Sequence, residues 1–252
     1  MQRLIDIEKE FDKLVPTIGG RRVTEILGTP PDAPNNADYL FDHVEIIAEL
    51  KCLQENKLED TELNHNLWAL FKTWRKEGYK IAVSEEGWRA TLHNLPQHCA
   101  QKILELYAKS IRKRVLKANK QIKQTRKILG RPNHKGLLLL ANDGNLALDP
   151  EHIYHILSYV MKNDFSGINS VAFFTVNMPG KASFTNVDTL LWANLHRPGR
   201  EQIDDAFLAM LSRSWIEHVS KLLGTLIPTI KLGSTDQLSG IRNSGKSIST
   251  ET

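Results

Sequence analysis

The chain has 252 residues, 41% of them hydrophobic, and a net charge of +4, which is enough to bury a sizeable core as one large domain or two small ones. No run approaches about 18 uncharged apolar residues, and the N-terminal "MQRLIDIEKEF" is charged throughout, so neither a membrane span nor a secretory signal is visible and a cytoplasmic protein is expected. Two cysteines, Cys52 and Cys99, form no disulfide framework and no zinc-type spacing, so both are expected as reduced core residues.

In chain order, Leu4, Ile7, Phe11 and Leu14 fall at helical spacing and predict an amphipathic first helix whose polar side carries Glu8, Lys9 and Glu10. "TIGGRRVTEILG" reads as a glycine pair followed by a short β-like run, and the three prolines of "TPPDAPNN" make residues 29–36 a loop. "ADYLFDHVEIIAELKCLQE" then reads as a β-hairpin turning near Phe41 to Val44. A helical region follows, with Leu67, Leu70, Phe71 and Trp74 on one face, and then a long helix from about 97 to 129. In that helix Ile103, Tyr107, Ile111, Val115, Ala118 and Ile122 recur every three or four residues, and Gly130 and Pro132 end it. "KGLLLLAND" has strand length and unbroken apolarity, so it should be buried on both faces.

Asp149 and Pro150 open the next predicted helix as N-cap and first helical residue. "INSVAFFTVN" is a further strand, and "REQIDDAFLAMLSRSWIEHVSKLLGTL" a further helix. From residue 232 the chain is rich in Ser, Gly and Thr with almost no large apolar residues, and is expected to be disordered. This order predicts an α/β domain over 1–231, with a central mixed sheet flanked by helices and a helical insertion at about 58–96.

Within the hairpin the second strand carries Glu49 and Lys51 on one face, about 7 Å apart by strand rise. Ile46, Ala48, Leu50 and Cys52 form an apolar face on the other side. A two-residue loop at Asp42 and His43 would set Leu40 opposite Glu45 and Asp38 opposite Ile47, which makes Asp38 a diagonal neighbour of Glu49 on its own face. Asp42 sits at the turn and Asp32 in the proline loop, so neither can join them. Two carboxylates beside an amine suit a hard divalent cation such as Mg²⁺, and the combination suits phosphodiester hydrolysis. The plainer reading of Glu-x-Lys on one strand face is a solvated ion pair.

Asp38, ten intervening residues, then Glu49-Leu50-Lys51 resembles the signature of the PD-(D/E)xK nuclease superfamily, as does the order helix, hairpin, helix, strand over about residues 1–145. The resemblance implies a restriction-endonuclease-like core and a Mg²⁺ (or Mn²⁺) ion held by Asp38, Glu49 and the Leu50 carbonyl. It makes Lys51 the catalytic lysine and draws in a glutamate from the first helix, for which Glu10 is preferred over Glu8. Ala37 stands where the signature has proline. The Gln-x-x-x-Tyr that some members carry is not reproduced, since neither Gln121 nor Gln124 has a tyrosine four residues on.

From Lys109 to Arg131 there are ten Lys or Arg and no Asp or Glu, leaving the rest of the chain acidic. That distribution is expected where a polyanion is held in one place. Lys113, Lys117, Lys120 and Lys127, with Gln121 beside them, form a stripe that could follow a phosphate backbone. Three functions are therefore carried forward: a metal-dependent nuclease acting on nucleic acid, DNA more than RNA, with a homodimer allowed for; a nucleic-acid-binding module without chemistry; and a partner-binding protein. No Walker-type, dinucleotide-binding or nucleophile-elbow motif is present.

Overall fold

The computed structural model describes residues 5–28, 36–53, 61–80, 95–143, 150–162, 165–177, 180–181, 188–224, 226–227, 229–232 and 242–243. Its helices are α1 (Ile7–Thr17), α2 (Val23–Leu27), α3 (Thr61–Lys76), α4 (Gln97–Ile128), α5 (Pro150–Met161) and α6 (Asp205–Leu223). Its strands are β1 (Arg21–Arg22), β2 (Tyr39–Phe41), β3 (Ile46–Leu53), β4 (Lys135–Asp143), β5 (Ser170–Val176), β6 (Gly180–Lys181), β7 (Asp188–His196), β8 (Thr229–Leu232) and β9 (Arg242–Asn243).

The strands form one mixed sheet in the order β1-β2-β3-β4-β5-β7-β6-β9, with β8 also paired to β7. β1, β2 and β3 run antiparallel to one another, β3, β4 and β5 are parallel, and β7 returns antiparallel to β5. The protein is thus an α/β domain with helices on both faces of the sheet. Alternation along β4 shows why its sequence is unbroken in apolarity. Leu138 and Leu140 pack with α3, α4 and α5, whereas Leu137, Leu139 and Ala141 pack with α1 and α6.

Local signals place the helices. Asp6 caps α1 by accepting the Lys9 N–H, and Asp204 caps α6 by accepting the Ala206 N–H. The predicted apolar stripe of α4, from Ile103 to Ile122, is buried throughout. On the opposite face Phe11 of α1 stacks on Trp215 of α6 with ring centroids 4.3 Å apart, and Phe174 of β5 meets the same tryptophan edge-on.

Several sequence expectations are corrected. The β-like run after the glycine pair is a two-residue strand followed by the short helix α2, because Arg22 turns the chain and Gly28, at φ +62°, ends it. Strand β7 is an element absent from the sequence expectations. "DTLLWANLH" is an apolar run of strand length ended by a Pro-Gly turn, and its burial between β5 and β8 explains its composition. β9 falls within the tail expected to be disordered and pairs with β6, while the other residues after Leu232 lie outside the described residues. So do residues 29–35 of the proline loop and Asp149. Cys99 is buried as expected, but Cys52 is only partly so.

Close approach of α4 to the segment before β5 locks the parallel part of the sheet. The Gly167 N–H donates to Asn119 Oδ1 at 2.7 Å and its carbonyl accepts from Arg126 at 2.9 Å, while Gly136 lies directly beneath Gly167. A methyl group on Gly136 would overlap the Gly167 carbonyl oxygen, a clash of backbone with no soft side chain to yield. Gly136→Ala should therefore lower unfolding free energy by about 3 kcal/mol, measured by urea denaturation.

Candidate active site

The turn between β2 and β3 decides where the charged residues meet. Asp42–Val44 form a 3-10 turn closed by Glu45 at φ +55°, so the connection uses four residues where the sequence reading allowed two. The register is Tyr39↔Ala48, Leu40↔Ile47 and Phe41↔Ile46. A shift of two residues keeps every side chain on its expected face, but it moves Asp38 from a diagonal position to the place facing Glu49. His134 and Arg131 each bond Asp42 at 3.1 Å and tie the turn down.

At Asp38 the strand stops pairing through its backbone. The Asp38 carbonyl accepts the Val23 N–H at 2.9 Å, and its carboxylate Oδ2 accepts the Leu50 N–H at 2.7 Å. The side chain thus takes up a strand donor of β3 and is held by it. Glu49 is 0% exposed, enclosed between β3 and α4. Its Oε1 pairs with Lys51 Nζ, and its Oε2 is buried without a hydrogen-bond partner. Lys51 reaches out from that pair, its side chain 18% exposed.

Electrostatics follow from this enclosure. Burial, and then the facing Asp38 charge, push the Glu49 carboxyl up to about 8, against the pull of Lys51 and Lys117. Burial likewise raises Asp38, opposed by the Leu50 N–H and Lys51. Both acids therefore hold their protons more tightly than in water, chiefly because of burial.

Beside them opens a cavity of about 140 Å³ lined by Glu8, Asp12, Arg22, Thr24, Asp38, Tyr39, Leu50 and Lys51. Asp12 accepts from the Tyr39 hydroxyl at 3.1 Å and pairs with Arg22 at 3.2 Å. The structure thus brings Asp38, Glu49, Leu50 and Lys51 together, and adds Glu8 and Asp12, one turn apart on α1. That i,i+4 carboxylate pair was readable in the sequence, but nothing there pointed its face at Asp38.

Two expected residues fall elsewhere. Glu10 lies on the buried stripe of α1 with Ile7 and Leu14 and faces α6, whose His218 holds it at 2.8 Å, while Lys13 of α1 itself holds it at 2.7 Å. It is therefore a helix–helix tie remote from the cavity lining, and Glu8 takes the cavity position. Gln121 is not part of the exposed stripe. It is buried, and its Nε2 donates to the Asn36 carbonyl at 2.9 Å, supporting the chain just before Asp38. Lys113, Lys117, Lys120 and Lys127 are exposed along α4 as expected, with Lys117 close enough to act on Glu49.

A metal ion can be tested against these residues. Among the described residues no group of three or more His, Cys, Asp or Glu is arranged to hold one, which excludes a closed all-protein cage. Two facing carboxylates with one buried oxygen unpartnered do fit Mg²⁺, which uses one or two carboxylates and keeps several waters.

A second constellation is not a catalytic site. Ser170 Oγ lies 2.9 Å from His196 Nδ1, and His196 Nε2 lies 3.2 Å from Asp205. Ser170 is wholly enclosed and its Oγ also accepts the Ile203 N–H, so no substrate carbon can reach it.

Because Glu49 binds its proton more tightly in the folded chain, folding takes up a proton between about pH 4.5 and 8. Its contribution to stability therefore falls as pH rises through that window and is level above it. Without divalent metal, Glu49→Gln should be more stable than the wild type at pH 8.5, with the difference closing toward pH 4, as read from urea midpoints.

No helix among the described residues is long and apolar enough to cross a membrane. Compared with models of known protein families, with curated proteins and with solved structures, the chain matches none.

Proposed function

We propose that the protein is a Mg²⁺-dependent nuclease, hydrolysing phosphodiester bonds of nucleic acid, with DNA the preferred substrate, at the cluster of Asp38, Glu49 and Lys51. The single observation that carries this reading is the meeting of buried Glu49 with half-buried Asp38, which with Lys51 lines a cavity. Acids held together at such electrostatic cost ask for a cation. Support also comes from the order α1, β1 to β3, α4, β4, which parallels the restriction-endonuclease-like core implied by the resemblance to the PD-(D/E)xK superfamily.

In this reading Asp38, Glu49 and the Leu50 carbonyl hold the ion. Magnesium bound there would neutralise the approaching phosphate and lower the pKa of a bound water. Asp38 is fixed by the Leu50 N–H, so its free carboxylate oxygen is oriented before the ion arrives. Lys51, whose side chain reaches partly into solvent beside Glu49, would donate to the reacting phosphate and stabilise its charge. Lys117 and the exposed lysines of α4 carry the polyanion toward the same end of the sheet.

A non-catalytic nucleic-acid-binding module would need the lysine stripe alone. The unpartnered Glu49 oxygen favours the nuclease reading, since burying that group gives a binding module nothing.

With Mg²⁺ and linear duplex DNA, Asp38→Ala, Glu49→Ala and Lys51→Ala should each lose cleavage by at least about 100-fold, while Glu10→Gln keeps it. Undiminished cutting by the first three variants defeats the proposal. Mg²⁺ should also raise the melting temperature of the wild type but not of Glu49→Ala, by calorimetry. In chelator, replacing Lys113, Lys117 and Lys120 by Gln should reduce the slope of log affinity against log salt by about 0.9 for each phosphate that is no longer neutralised.

A further inference from the structure

Helix α3, inserted between Lys51 and α4, keeps Leu67, Phe71 and Trp74 inward. That leaves Trp68 at 51% exposure, one of the largest apolar side chains a protein can place in water. Its ring meets Phe71 edge-on at 6.0 Å, so it is braced against the core side chain beneath it. Lys72, Arg75 and Lys76 follow at four, seven and eight residues, which puts them on the same helical face. With Trp68 and Phe71 they line an open groove of about 490 Å³, and among the described residues no acidic side chain is in that lining.

We infer that this face of α3 is a second nucleic-acid contact, binding an unpaired strand: Trp68 stacks on a base while Lys72 and Lys76 hold the flanking phosphates. An aromatic platform beside a row of cations is the combination that single strands require, since every base offers a π-face and every nucleotide a charge. Duplex DNA conceals its base faces and would engage only the cations. A second copy of the chain is a poor occupant, because a two-fold contact would bring the same basic face of both copies together. The inference rests on the nuclease reading for its biological sense, extending the contact surface beyond α4 to a strand separated from its complement.

The test uses the full chain in chelator, so that cleavage plays no part, and measures fluorescence anisotropy with a labelled oligothymidine of about 16 nucleotides and with a duplex of equal length. Trp68→Ala should weaken oligothymidine binding about tenfold or more and duplex binding far less. Trp68→Phe should retain most of the single-strand affinity, and Lys72→Gln with Lys76→Gln should flatten its salt dependence. Since Trp68 is half exposed, a circular dichroism melt of the variants should match the wild type.

The inference is overturned if Trp68→Ala binds oligothymidine as tightly as the parent or loses both probes equally. It is also overturned if the parent binds no oligothymidine, or if the face binds an acidic peptide in preference to it. The nuclease reading is judged separately, by Mg²⁺-dependent cleavage in the wild type, so either can fall alone.

Discussion

Asp38 and Glu49 face each other across two adjacent strands, and most of what is distinctive in this fold serves to keep them there. Glu49 is wholly enclosed and Asp38 half-buried, and a charge on either would be better solvated in water. The structure holds them by covalent connection through the β2–β3 turn, by the Leu50 N–H on Asp38, by Lys51 on Glu49, and by Gln121 and Thr125 of α4. Those two α4 residues bind the Asn36 carbonyl and the Ala37 N–H. Lys51 pairs with one Glu49 oxygen, and the other is buried without a hydrogen-bond partner.

The remaining layers make the site rigid. α4 is anchored at its far end by Asn119 and Arg126 against Gly167, and in its middle by the apolar stripe against β3 and β4. The same helix thus forms one wall over Glu49 and presents lysines to solvent along its outer side. On the other face α1 is clamped to α6 by the Phe11–Trp215 stack and by Glu10 with His218. That clamp sets the rotation of α1, which is why Glu8 and Asp12 reach the cavity and Glu10 does not.

Charge organises the surface in a matching way. Glu49 is enclosed and Asp38 half-buried, whereas Lys113, Lys117, Lys120 and Lys127 of α4 and Lys72 and Lys76 of α3 are exposed. The inserted helix α3 adds to this field an aromatic side chain, Trp68, that no packing requirement explains.

Much of this was legible in the order of residues. Periodicity of 3.6 located α1, α3, α4 and α6, unbroken apolarity identified β4 as buried on both sides, and the Asp38, Glu49 and Lys51 spacing singled out the cluster, because short-range patterns depend only on local geometry. β7, an apolar run as long as β4 and followed by Pro198 and Gly199, carried the same signal and was not read from it. Residue order alone settles which side chains share a face of β3, since a strand alternates whatever surrounds it. That Asp38 stands directly opposite Glu49, that Glu8 and not Glu10 enters the cavity, and that Gln121 is buried are outcomes of folding in three dimensions. They depend on turn length, helix rotation and packing between segments far apart in the chain, and the free energies that set them belong to contacts that exist only once the chain has folded.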